Sequence, residues 1–278
     1  MVRILKISFT LSIALLVCAC STMRFAYENA DTYVRWRVAS YISVSGEDAD
    51  WLDDRIDEFH AWHRVTELPK YARLAREAEG RIADGISRED FIWGYDAVRQ
   101  RARESLRHAV QIVAPLLDRL SSEQIRYMER RIAEDNRQFQ RDYLRGGERQ
   151  RRERRAKLVV DRLEDWVGKL TQAQVKRVRE FAESAPLLDE LRERDRRRLQ
   201  ADVMQIIRAK EAQQRLAARI SEWERGRDAA YVAGIAAWNE HAMKMVVDLD
   251  GTLSGEQRAR LAGNLRRYAE DFEALGRR

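Results

Sequence analysis

The chain is poor in the residues that make turns, sheets and cross-links. Its 278 residues include three prolines, thirteen glycines and two cysteines. So few turn formers, with 35% of residues charged, point to long solvated helices rather than to sheets. No alternating strand pattern of useful length occurs. The phosphate-binding glycine loop, the His-Glu-x-x-His zinc helix and the Gly-x-Ser-x-Gly elbow are all missing, and with them the usual sequence arguments for an enzyme. The apolar stretch Ile7–Val17 falls short of the roughly 20 residues that a spanning helix needs. What is present argues against an unfolded chain: seven tryptophans, nine tyrosines and regularly spaced aliphatics supply ample apolar surface.

The N-terminus has the layout of an export signal, with Arg3 and Lys6, then the apolar run, then small residues. Its ending, Val17-Cys18-Ala19-Cys20, resembles the lipobox of bacterial lipoproteins, cut between Ala19 and Cys20, with Cys20 then acylated. Cys18 is a poor alternative, because Val17 before it is too large for the signal peptidase. This reading makes residues 1–19 a signal peptide and residues 20–25 a lipidated N-terminus with a short tether. Residues 26–278 then form a single helical domain, whose sub-bundles would divide near 146 or 186. The mature chain would keep no thiol for a disulfide, a thiolate metal site or a cysteine nucleophile. Its formal charge would fall from +6 to +4 as Arg3 and Lys6 leave. Three acyl chains, palmitate-like, would make attachment permanent, since each buried CH₂ contributes about 0.8 kcal/mol. Ser21, standing where Asp would signal retention, implies passage to the outer membrane, facing the periplasm.

One pattern recurs along the chain: a hydroxyl residue, then Gln or Asp three places on, then helical periodicity. It occurs at Ser45-Gly-Glu-Asp48, Ser87-Arg-Glu-Asp90, Ser121-Ser-Glu-Gln124, Thr171-Gln-Ala-Gln174 and Ser254-Gly-Glu-Gln257. The hydroxyl accepts an orphan N–H of the first turn, and the residue at N3 reaches back to the cap. Pro69, Pro115 and Pro186 are read as helix ends or kinks, Gly146-Gly147 and Asp250-Gly251 as turns. The spacing predicts helices over 26–42, 46–65, 70–83, 88–113, 122–144, 148–168, 172–184, 187–220, 227–248 and 255–275. The expected fold is an all-α bundle of about nine to ten capped helices.

Arginine is concentrated twice. Arg145 to Lys157 holds seven basic residues against Glu148 and Glu153, and Arg192 to Arg198 holds five against Glu193 and Asp195. Guanidinium forks suit phosphate and carboxylate, so Arg149, Arg151, Arg152, Arg154 and Arg155 form the candidate contact surface. Export separates them from nucleic acid and leaves anionic lipid or an acidic or unfolded envelope protein as partner. His60 and His63, three apart with Asp57 and Glu67 near, are weak metal candidates lacking a clear third ligand; no cofactor is expected. The string Val246-Val-Asp248-Leu-Asp250-Gly-Thr252 resembles the first motif of haloacid-dehalogenase-type phosphatases. Only 25 residues follow Leu253, too few for their parallel sheet. A calcium loop from Asp248 fails as well, because Leu253 stands where the turn glycine belongs and Ala259 where the bidentate Glu belongs.

Longer strings carry a family resemblance. They are Tyr27-x-Asn29-x-Asp31 with Val34-Arg35-Trp36, Trp62-His63-Arg64 with Leu68-Pro69-x-Tyr71, Glu134 to Phe139, and Arg162 to Gln174. Together they resemble an uncharacterised family of proteobacterial lipoproteins, a domain of unknown function. That family tends to have Leu-Thr-x-x-Gln where this chain has Val44-Ser45-Gly-Glu-Asp48. The resemblance implies a helical envelope lipoprotein and makes Trp62, His63, Arg64, Pro69 and Tyr71 a candidate structural constellation. The copies Leu120–Gln124, Leu170–Gln174 and Leu253–Gln257 are similar to the repeats of Spy- and CpxP-type periplasmic helical proteins, which implies binding of unfolded clients. The expected role is therefore a membrane-anchored binding protein without catalysis, and the alternative is a structural spacer without clients.

Overall fold

Four of the five expected caps start helices. The structure, a computed structural model, describes residues 22–277; Ala19 and Cys20 lie outside them. Among the described residues the chain is all-α, with no strand. The helices are α1 Thr22–Glu28, α2 Ala30–Ala39, α3 Glu47–Thr66, α4 Leu68–Arg81, α5 Arg88–Arg119, α6 Ser122–Phe139, α7 Glu148–Val167, α8 Gln172–Ser184, α9 Asp189–Arg208, α10 Ala217–Ser221, α11 Ala229–Asp250 and α12 Gly255–Gly276. π-Helical turns at Gln140–Leu144 and Ala212–Leu216 follow α6 and precede α10. Ser87, Ser121, Thr171 and Ser254 each accept from the N3 backbone, and the N3 side chain bonds back.

Three expectations are corrected. Ser45 does not cap α3: Gly46 is the N-cap, at φ +58°, and no side chain bonds there. Glycine's access to positive φ turns the chain into the helix, and the Asp48 carboxylate is used by Arg119 instead, 3.1 Å away. Pro115 does not end a helix at 113. Helix α5 runs through it to Arg119 because Ala114, Leu116 and Leu117 on either side are buried in the core. The single helix expected over 187–220 breaks after Arg208. Lys210 takes φ +58°, and Asp118, at the end of α5, accepts from the N–H groups of Ala212 (2.6 Å) and Gln213 (3.1 Å). A carboxylate from another helix thus recaps the chain. Burial pushes its pKa up, but these backbone donors and the Gln213 side chain prevail and hold it below 3.8.

Buried residues gather in two clusters. The first joins α3, the C-terminal half of α5, α6, the end of α9 and the second π turn around Leu116, Ile125, Met128 and Ile207. The second joins α7, α8 and α11 around Val167, Val178, Phe181 and Met245, with Phe91 of α5 packed against it. Helix α5, 32 residues long, touches both. Helices α4 and α12 pack along each other and bury Leu68, Ala72, Ala75, Ala269 and Leu275.

Candidate basic and aromatic cleft

Six segments leave an open cleft of about 1200 Å³ between them. Tyr95 and Arg99 come from α5, Tyr143 from the first π turn, Arg151 to Asp161 from α7, Leu188 to Arg192 from the start of α9, Trp223 to Arg227 from the turn after α10, and Tyr231 to Asn239 from α11. Its apolar lining includes Val159, Ile235, Ala236 and Trp238. Leu158, Val232 and Tyr143 also line it and are exposed. Seven basic side chains face four acidic ones.

One set of charges in the lining is already paired. Glu224 receives Arg99, Arg103 (2.7 Å) and Arg227 (3.1 Å). Burial alone would raise its pKa, yet the three guanidinium groups lower it below 4.5, so it is a carboxylate at neutral pH. Arg154, Lys157 and Arg192, also in the lining, are exposed and have no carboxylate partner among the described residues.

The expected arginine surface divides in two. Arg152 donates to the carbonyls of Ala182 (3.0 Å), Glu183 (2.5 Å) and Ala185 (2.9 Å), and to Glu148. Arg155 donates to the carbonyls of Ala185 and Pro186, both at 2.9 Å. These two are C-terminal caps of α8, supplied from α7 because Pro186 stops that helix before its last carbonyls find intrahelical donors. Burial holds the Arg155 pKa below its ordinary value. Arg151 pairs with Glu190 at 3.1 Å, and Arg149, fully outside, lies near Glu153. Arg154 bonds only the Arg145 carbonyl, at 2.7 Å. Of the five, Arg151, Arg154 and Arg155 line the cleft, and of these Arg154 alone is exposed. Tyr95, Trp223, Glu224 and Arg227 carried no local signal, since they come from segments far apart in sequence.

Trp62, His63, Arg64, Pro69 and Tyr71 do meet, at the joint between α3 and α4. Trp62 stacks on His108 at 3.7 Å, Tyr71 contacts Phe272, and Pro69 packs on the Gly276 end of α12. Tyr27 of α1 stacks on both His60 and His63, bonds His63 Nδ1 through its hydroxyl at 3.0 Å, and lies under the Arg64 guanidinium. Burial pushes Tyr27 up to about 12 and lowers His63 below 6.5, so both are neutral at pH 7. His60 Nε2 faces the Tyr27 carbonyl at 3.3 Å. Both histidines are thus engaged by residue 27, and among the described residues no group of three His, Cys, Asp or Glu side chains gathers to hold a metal. Glu67, 0% exposed, sits beneath them, paired with Lys70 at 2.6 Å and Arg101 at 3.5 Å. The whole is a packed joint.

Two further motifs resolve into structure. Asp250 of the phosphatase-like string accepts from the Ile86 N–H (3.1 Å) and from Arg258 (3.0 Å), tying the α4–α5 loop to α12. The Thr171 and Ser254 caps face each other. Gln174 Nε2 donates to Gln257 Oε1 at 2.9 Å, and Gln257 Nε2 donates back to Gln174 Oε1 at 3.0 Å.

Fold and cleft together define an all-α protein with a basic groove that carries exposed apolar and aromatic side chains. The chain belongs to the family of unknown function DUF6279, whose model matches residues 40–226. That span holds the Trp62–Tyr71 joint and the Thr171 cap, and stops short of the Ser254 cap. No curated protein and no solved structure matches the chain.

Proposed function

We propose that this protein is a lipid-anchored, periplasm-facing binding protein of the bacterial envelope, attached through Cys20 to the outer membrane. In this reading it holds extended, acidic polypeptide with apolar side chains in its cleft. The carrying observation is the juxtaposition of Arg154, Lys157 and Arg192, all without carboxylate partners, with exposed Leu158, Val232 and Tyr143. Carboxylates would meet the cations while apolar side chains cover Leu158, Val232 and Tyr143. The open shape suits an extended chain crossing the surface better than a small enclosed molecule.

The test uses the mature lipidated protein in detergent and a fluorescent peptide alternating Glu with Leu and Phe, followed by anisotropy. Exposed ion pairs are worth about 0.2–1 kcal/mol each. The triple variant Arg154→Ser, Lys157→Ser, Arg192→Ser should therefore bind about tenfold more weakly. Equal binding by wild type and variant would sink the reading. Competition by phosphatidylglycerol micelles alone, with no peptide binding, would transfer the cleft to anionic lipid. One observation favours the alternative of a bracing spacer: Arg152, Arg155 and Arg198 spend their donors on backbone carbonyls, as structural arginines do. A spacer would show no peptide binding and no lipid competition.

A further inference from the structure

Helices α1 and α2 carry three exposed aromatic side chains that no other described helix covers. Their inward side is well held. Val34 and Val38 pack on the first core. Arg24 pairs with Asp271 of α12 at 2.5 Å, Arg35 with Asp57 of α3, and Arg37 with Asp135 of α6 at 3.3 Å. The Tyr27 hydroxyl adds its bond to His63. Three helices therefore fix the orientation of this segment.

The outward side carries Phe25, Tyr33 and Trp36, which are 67%, 62% and 61% exposed. Backbone bonds from the Asn29 N–H to the Phe25 carbonyl and from the Tyr33 N–H to the Asn29 carbonyl, both 3.2 Å, carry the helical register across the α1–α2 boundary. Positions 25, 29, 33 and 36 then fall on one face, and the Tyr33 and Trp36 rings lie 5.8 Å apart. Among the described residues, the only other exposed aromatic side chain is Tyr143, in the cleft. A stripe of exposed aromatics on a chain this rich in charge calls for a covering.

Chain length identifies what covers it. Phe25 stands five residues after Cys20, and five residues reach at most about 18 Å however they are arranged. If Cys20 is acylated, α1 is confined to the neighbourhood of the lipid head groups. The polar zone on each side of the hydrocarbon is about 5–8 Å deep, and Trp and Tyr concentrate there because their rings are apolar and their tips polar. We propose that the outer face of α1–α2 lies on the bilayer surface, with Phe25, Tyr33 and Trp36 seated at head-group level. The inference rests on the acylation of Cys20 stated above. The body is then held at one fixed tilt instead of swinging on a loose tether.

The test is made on the mature lipidated protein reconstituted in phosphatidylcholine vesicles, with and without lipid brominated near the top of the acyl chain. Bromine should quench part of the tryptophan emission of the wild type, and the conservative exposed variant Trp36→Phe should lose most of that quenching. Phe25→Ser with Tyr33→Ser should reduce it as well. Flotation separates the two layers of the argument. Protein that fails to float overturns the acylation and this proposal with it. Protein that floats, with equal quenching in wild type and Trp36→Phe, overturns the surface contact while the anchor stands. An intermolecular disulfide through Tyr33→Cys, with no quenching, would assign the face to a second copy of the chain and also overturn the proposal.

Discussion

Gln174 and Gln257 each do three jobs, one of them a bond from the amide to a loop carbonyl, of Thr252 (3.0 Å) and Lys169 (3.1 Å) respectively. Each accepts its own cap N–H, from Thr171 at 2.9 Å and from Ser254 at 3.0 Å, and each bonds the other's amide. They are 1% and 8% exposed, so water cannot replace a lost partner. Truncation of either to Ala should cost about 1–3 kcal/mol by leaving its cap N–H and one amide N–H of its partner without an acceptor. The double variant should cost less than the sum, with a coupling of about 0.5–3 kcal/mol in a denaturation cycle. Strict additivity would mean that the pair does not act as a unit. The caps themselves were legible in the sequence, because a capping box is local. Their meeting was not, because it spans 83 residues of chain. The histidines give a second residue-scale outcome. His63 and His108 are held below 6.5, first by burial. Their charged forms are disfavoured in the fold, so the unfolded chain takes the proton first. Stability is intact above pH 6.5 and declines as pH falls below it. Thermal melts between pH 7.5 and 5.5 should show this slope, and His63→Gln should flatten it. The contribution of Glu224 and Asp118, whose pKa values are lowered, is lost only below about pH 4. A melt flat from 7.5 to 5.5 would refute the assignment.

At the scale of the element, the α7 arginines separate into two kinds that composition cannot tell apart. Arg152 and Arg155 cap the C-terminus of α8, and charged hydrogen bonds of this kind are worth about 1.5–3 kcal/mol. Arg152→Ala and Arg155→Ala should each lower stability by that order in urea unfolding. Lys157→Ala, and Arg154→Ala, which loses only one exposed bond to the Arg145 carbonyl, should stay within about 0.5 kcal/mol. Equal losses at all four positions would contradict the division. The sequence marks the cluster but not its split, because the carbonyls it serves lie some thirty residues away. The same limit explains the misread helix ends. Pro115 signals a stop by its missing N–H, and the burial of Leu116 and Leu117 overrides it. The break near Lys210 has no proline or glycine to announce it; a carboxylate on α5 makes it. Local chemistry was readable, and tertiary partners were not.

Across the whole molecule, the all-α fold followed from periodicity and caps, whereas the cleft depended on how distant segments meet. The two buried clusters share α5, which places Phe91 against one and Leu116 inside the other. A rigid rod common to both cores couples them, since neither can lose its packing without freeing one end of the rod that the other needs. The described chain should then melt in one transition. Leu116→Ala in the first cluster should cost about 2–5 kcal/mol, and Phe181→Ala in the second about 3–5 kcal/mol. Each should shift the same calorimetric peak. Two peaks, with Leu116→Ala moving only one, would show that α5 does not transmit stability. The outcome bears on the cleft, because Tyr95 and Arg99 lie on α5 between its two anchored ends. If both ends are held, the spacing between the Glu224 cluster and the open cations Arg154, Lys157 and Arg192 is set by the fold, and a bound chain would meet a preformed groove whose ordering cost was met on folding.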